Sequence, residues 1–174
     1  MKSQNEFNRS FRCYHKISIL VFLLFLLPFN TIWSQCANSG LNCQDATPID
    51  FPFGGLMNDI QNSTGPIPGC NGNGILHNGS WYSFVPTTSS ILIEVIGLNC
   101  NFINSTTGYQ VGIFPDCDPN SFPIDIQCDC LASGDAVILG GDVTPNETYY
   151  ILIDGCAGSF CNINMTLLLS LIHI

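Results

Sequence analysis

The sequence predicts an all-β protein, a two-sheet antiparallel β-sandwich of jelly-roll-like form stapled by disulfides. Three observations carry this. Short runs alternate apolar and polar residues and are separated by turn residues. No window shows an apolar stripe of helical period. Nine cysteines follow a segment that reads as an export signal.

The elements come in order along the chain. "PFGGLMNDI" is a first strand candidate. "GSWYSFV" sets Trp81, Ser83 and Val85 on one face and Tyr82 and Phe84 on the other, because successive side chains of a strand alternate. This is the strand expected to anchor the core, through Trp81 or Tyr82. "SILIEVIG" turns Ile91, Ile93 and Val95 one way and Leu92, Glu94 and Ile96 the other. "YQVGIF" follows, then "PIDIQCDC", with Ile124, Ile126 and Cys128 opposite Asp125, Gln127 and Asp129. "DAVILG" is a short run. "ETYYILIDG" sets Tyr149, Ile151 and Ile153 against Tyr150, Leu152 and Asp154, and "CNINMTL" turns Ile163, Met165 and Leu167 inward. The stretches between them, such as "NSTGPIPGCNGNG" and "PDCDPNSFP", are loops by their Gly, Pro, Asn and Asp content. About eight strands at this spacing point to a sandwich.

Four parts are expected: a signal peptide over 1–34, a Cys-stapled lead-in over 35–47, the sandwich over 48–169 and a tail over 170–174. Lys2, Arg9, Arg12 and Lys16 precede an apolar run from Ile17 to Leu27, which Pro28 breaks. A basic head and an apolar core far shorter than the ~20 residues of a membrane span read as a cleaved signal. Gln35 before Cys36 argues against lipid attachment, since that signal wants a small residue there. The chain stops at "LLLSLIHI", whose last six residues look foreign to the natural protein; Leu169 or Ser170 is the expected last authentic residue, and the natural protein is expected to continue into further domains.

Charge narrows the partners. All four Lys and Arg lie in the signal, and Glu6 is the one acidic residue there, so 12 of the 13 Asp and Glu remain against no Lys or Arg. Such a surface repels phosphate, which excludes nucleic acid, and it does not favour an anionic membrane. No membrane insertion is expected once the signal is cleaved. An unknown extracellular protein or glycan remains as partner, with the protein secreted or on the cell surface.

The cysteines after the signal are Cys36, Cys43, Cys70, Cys100, Cys117, Cys128, Cys130, Cys156 and Cys161. They lack the paired thiolate spacing of a zinc site and read as a disulfide framework. Spacing suggests Cys156 with Cys161, then Cys36 with Cys43. Cys117 would meet Cys128 or Cys130, Cys100 would take the other, and Cys70 is ambiguous. An odd cysteine is left over.

"HNGSWYSFVP", "ILIEVIG", "YQVGIFPDC", "CDC" and "VTPNETYYILIDGCAGSFCNINMTL" together resemble the pre-peptidase C-terminal-like β-sandwich of large secreted bacterial proteins. The resemblance covers most of residues 43–169. It departs at Pro145-Asn146, where the pattern carries Pro-Gly; Asn tolerates the left-handed backbone such a turn needs. It implies a module for binding, adhesion or spacing rather than catalysis. The alternative it implies is an accessory domain of a secreted hydrolase, with carbohydrate binding as one role.

Candidate sites are few. A Ser-His-Asp hydrolase would need His77 as base, with Ser80 or Ser83 near it in sequence. No nucleophile-elbow pattern surrounds these serines, so no catalytic residue is expected and His77 reads as the residue before a strand. "DCDPN" offers Asp116, Asp118 and Asn120 as candidate calcium ligands, with Asp125, Asp129, Asp142 and Asp154 able to join through space. The loop lacks the Gly and bidentate Glu of a full calcium motif. An acidic turn capping its own amides is therefore the stronger reading, and no other cofactor is expected. Tyr82, Phe84, Tyr109, Phe114, Phe122 and Tyr150 are the aromatics a sugar platform would draw on. Sequons at Asn62, Asn78, Asn104, Asn146 and Asn164 are what an Asn-rich chain produces by chance.

Overall fold

The structure, a computed structural model, describes residues 40–57, 65–70, 75–101, 108–118 and 121–169. The chain divides into two compact units, Met1–Trp33 and Ser34–Ile174, and every described residue belongs to the second. The expected signal and tail, Cys36 and Asn120 lie outside the described residues.

Alternation of the kind seen in the sequence produces eleven strands among the described residues. They are β1 (Thr47–Pro48), β2 (Phe53–Leu56), β3 (Gly65–Pro66), β4 (Ile75–Leu76), β5 (Ser80–Phe84) and β6 (Ser90–Asn101). Then come β7 (Tyr109–Phe114), β8 (Asp125–Leu131), β9 (Ala136–Asp142), β10 (Tyr149–Gly155) and β11 (Phe160–Leu169). One sheet has the order β1-β5-β10-β7-β8 and the other β2-β11-β6-β9, while β3 and β4 form a small ribbon. All pairings are antiparallel except β1 with β5. The fold is therefore the two-sheet sandwich that the sequence predicts.

The inner faces meet in one core. Tyr82, Ile151, Ile153, Tyr109 and Ile113 come from the five-stranded sheet, and Ile93, Val95, Ile163 and Met165 from the four-stranded one. Of the two rings proposed as anchor, Tyr82 is the one inside: it is fully buried, and its hydroxyl donates to Leu56 O across the sandwich (3.1 Å). Tyr109 does the same work, its hydroxyl 2.7 Å from Asp135 O and 3.0 Å from Val95 O. Its ring lies against Gly97, where a Cβ would come within 2.5 Å of Cδ1, so only glycine fits there. Leu167 departs from expectation and is exposed. β11 steps two residues against one of β6 between Leu167 and Leu169, and the slip breaks the alternation.

The five-stranded sheet is buried on its outer face as well. Leu152 and Phe114 pack there with Ile67 and Cys70, and Leu76, Trp81, Ile126 and Tyr150 surround them. Trp81 thus packs outside the main core, its ring centroid 5.6 Å from that of Phe114 and tilted to it. The stretch expected as plain loop supplies this second cluster through Ile67 and Cys70. At the sandwich edge, Asp125 of β8 accepts from Gly140 N of β9 (3.0 Å) and from Ile126 N (2.9 Å), which links the two sheets.

Four disulfides join these layers: Cys43–Cys117, Cys70–Cys128, Cys100–Cys161 and Cys130–Cys156. These pairings replace the ones suggested by spacing. Cys156 and Cys161 do not bond to each other, because the turn between them carries the chain from β10 in one sheet to β11 in the other. Each then finds a partner in its own sheet: Cys130 on β8 and Cys100 on β6. Cys43 bonds to Cys117 and not to Cys36, which pins the lead-in to the turn after β7. Cys128 and Cys130 do bond elsewhere in the chain, to Cys70 and Cys156. They lie within a bulge in which the step from Gln127 to Leu131 faces only that from Val111 to Tyr109. The loops closed span 26 to 74 residues. On a chain-entropy account each link stabilises the fold by roughly 3.5–4.5 kcal/mol taken singly.

Non-reducing peptide mapping is expected to recover these four pairs; a Cys156–Cys161 peptide would contradict the topology. Tyr109→Phe removes the donor shared by two carbonyls and is expected to cost about 1–3 kcal/mol in urea unfolding, with the fold retained.

Candidate functional site

The densest polar cluster lies where β10 ends and β5 begins. Asp154 is the residue before the last of β10, and its inward neighbours Ile151 and Ile153 hold the strand in the core. The alternation therefore turns Asp154 to the outer face, where it is nevertheless fully buried. Its Oδ1 accepts from His77 N and Asn78 N, both at 2.9 Å. Gly155 follows and must be glycine, since a Cβ would sit 1.5 Å from Ser159 O. Asn78, also fully buried, closes the cluster: Gly155 N donates to its Oδ1 (3.1 Å) and its Nδ2 donates to Ser159 O (2.7 Å). Ser159 Oγ donates to Cys156 O (2.8 Å). The short turn between carries Ala157 in the left-handed region at φ 53°. The turn "HNGS" and the turn "GCAGS" are thus welded by backbone-directed bonds.

His77 Nδ1 lies 3.8 Å from Asp154 Oδ2. Both atoms are buried and neither has a hydrogen-bond partner among the described residues, while about a third of the His77 side chain is exposed. Burial holds the Asp154 carboxyl above the usual carboxylate range; the Asn78 and His77 amides and the facing ring pull the other way and are outweighed.

Of the hydrolase constellation, then, the structure brings an aspartate to His77. Ser80 and Ser159 are fully buried, and their hydroxyls donate to backbone carbonyls, Ser80 to Asn78 O at a marginal 3.5 Å. Ser83 lies within β5, opposite Tyr150. Asp154 is engaged in holding two turns together, through the backbone amides of His77 and Asn78. The sequence reading missed Asn78 and Ser159 as structural residues; the signal was the Asn-Gly and Gly-Cys-Ala-Gly turns, which only tertiary contact could match. Because its amide is buried and bonded, Asn78 is no acceptor for a glycan.

The candidate calcium turn follows β7. Asp116 Oδ1 accepts from Asp118 N (2.9 Å), and a bond from the Ser121 side chain is the larger of the two effects that lower its carboxyl below the ordinary value. Asp125 and Asp154 are committed elsewhere as acceptors, and the described residues hold no cluster of three or more His, Cys, Asp or Glu that could hold a metal ion. The aromatics form no exposed row among the described residues. Tyr82, Phe84, Tyr109 and Phe114 are buried, Tyr150 packs on the outer cluster, and Phe122 alone of the six is widely exposed, at 86%. No described helix is long and apolar enough to cross a membrane.

No family model and no curated protein matches the chain, so the pre-peptidase C-terminal-like resemblance rests on the motifs alone. Among solved structures, the chain is similar to the C-terminal CBM6 of LamC, a marine laminarinase from Zobellia galactanivorans. The identity is 18% and the TM-score 0.31, over 65% of this chain and 98% of that one.

Asn78→Ala strips partners from Gly155 N and Ser159 O at once. It is expected to cost roughly 2–4 kcal/mol in chemical denaturation, more than truncation of an ordinary surface turn.

Proposed function

We propose that the chain is a non-catalytic module of a larger secreted or cell-surface protein, serving as a stable spacer or support for adhesion. The observation that carries this is the set of four disulfides, which tie the lead-in, the outer cover and both sheets. Disulfides of this density belong to oxidising compartments. The absence of Lys and Arg after residue 16 gives trypsin-like proteases no cleavage point there, which suits the same setting. The buried aromatics favour a spacer over a sugar platform.

Thiol titration with thermal unfolding tests the reading. The chain made in an oxidising compartment is expected to keep Cys43, Cys70, Cys100, Cys117, Cys128, Cys130, Cys156 and Cys161 unreactive. Dithiothreitol is expected to lower its melting temperature sharply; an unchanged melting temperature on full reduction would refute a disulfide-dependent exported module. A glycan array is expected to stay blank, and ring-dependent binding there would favour the accessory, carbohydrate-binding alternative. Calcium against chelator is expected to leave the melting temperature unmoved, because Asp116 is already engaged within its own turn.

A further inference from the structure

We propose that His77 and Asp154 form a proton-operated clasp, which locks the turn before β5 onto the end of β10 when the pair takes up a proton and slackens when it loses one.

The geometry carries it. Two buried polar atoms, His77 Nδ1 and Asp154 Oδ2, face each other at 3.8 Å, with no other hydrogen-bond partner among the described residues. That separation is too long for a hydrogen bond and short enough to close into one by a small rotation of the ring. The His77 ring is part-exposed, so it exchanges protons with solvent, while Asp154 is sealed. Among the described residues, no other charged group acts on the pair. In register with Asp154 on β7 stands Gln110, and on β5 Ser80 faces Ile153. The crevice beside Asp154 is lined by Ile67, Val111, Gly112, Ile126, Gln127 and Leu152, which bear no charge. From the turns come Asn78 and Ser159, also neutral, and Cys156 is in a disulfide and does not titrate. Among the described residues, His77 is therefore the one group able to balance the Asp154 carboxylate.

The sign follows. Proton uptake by the pair turns a buried anion facing an unbonded ring nitrogen into a hydrogen bond between Asp154 and His77, so the folded state binds more protons than the unfolded one. Stability at this junction then falls as pH rises. The raised Asp154 carboxyl has the same sign: its contribution is complete below the ordinary value near 3.8 and is lost as pH climbs through the raised one.

Amide hydrogen exchange on the intact, oxidised protein between pH 4 and pH 8, corrected for intrinsic rates, tests the clasp at the amides that report it: His77, Asn78 and Gly155. Wild type is expected to lose protection at these amides severalfold toward pH 8, relative to Ile163 in the core. His77→Gln, at a part-exposed position, is expected to fold normally and to weaken this differential pH dependence, leaving only what the burial of Asp154 supplies. Asp154→Asn keeps an acceptor for the two amides and offers an N–H to the ring, so it is expected to hold protection high and flat across the range. A wild-type profile that is flat, or one that is undiminished in His77→Gln, would overturn the proposal.

Discussion

A β-strand buried on both faces has nowhere to put a polar side chain except into a bond, and β10 is such a strand. Ile151 and Ile153 fill the sandwich core while Leu152 lies under the outer cover. Asp154 inherits the same burial at the strand's end. A carboxylate there is tolerated only because backbone amides reach it, and those amides belong to the turn that starts β5. The turn before β5 and the crossing into β11 are tied to the end of β10 by this one requirement. Asn78 and Ser159 complete it, since each buried donor or acceptor must find a mate.

The outer cover is held by a different force. Ile67, Cys70 and Leu76 come from a stretch with short strands and much Gly and Pro, which buries too little by itself to stay in place. Cys70–Cys128 fixes one end of it to β8, and the His77 turn anchors the other end to β10. Covalent restraint and buried hydrogen bonds together replace the regular secondary structure that a larger protein would use for the same task.

Much of the fold was legible because the information is local. Alternation in "SILIEVIG" and "ETYYILIDG" assigns Ile93 and Ile151 to one face without knowledge of any partner strand, and the structure agrees. The departure at Pro145-Asn146 was also legible: Asn146 takes the left-handed backbone at φ 66° that its chemistry permits. The candidate site was less so. His77 and Asp154 are 77 residues apart, and nothing in either flank names the other. Trp81, as large and apolar as Tyr82, could have taken the core; which ring did so depended on which face met the second sheet.

The sequence by itself determined that this chain makes short alternating strands, that it has no Lys or Arg after residue 16, and that its cysteines are a cross-linking set. Each of these depends on residue type and near neighbours. The tertiary structure alone decided the cysteine pairing, because the turn from Cys156 to Cys161 crosses between sheets and sends two neighbours in sequence to partners in different layers. It also decided that an exposed-looking aspartate would be buried, because that depends on what covers a sheet's outer face, and the cover arrives from a distant part of the chain.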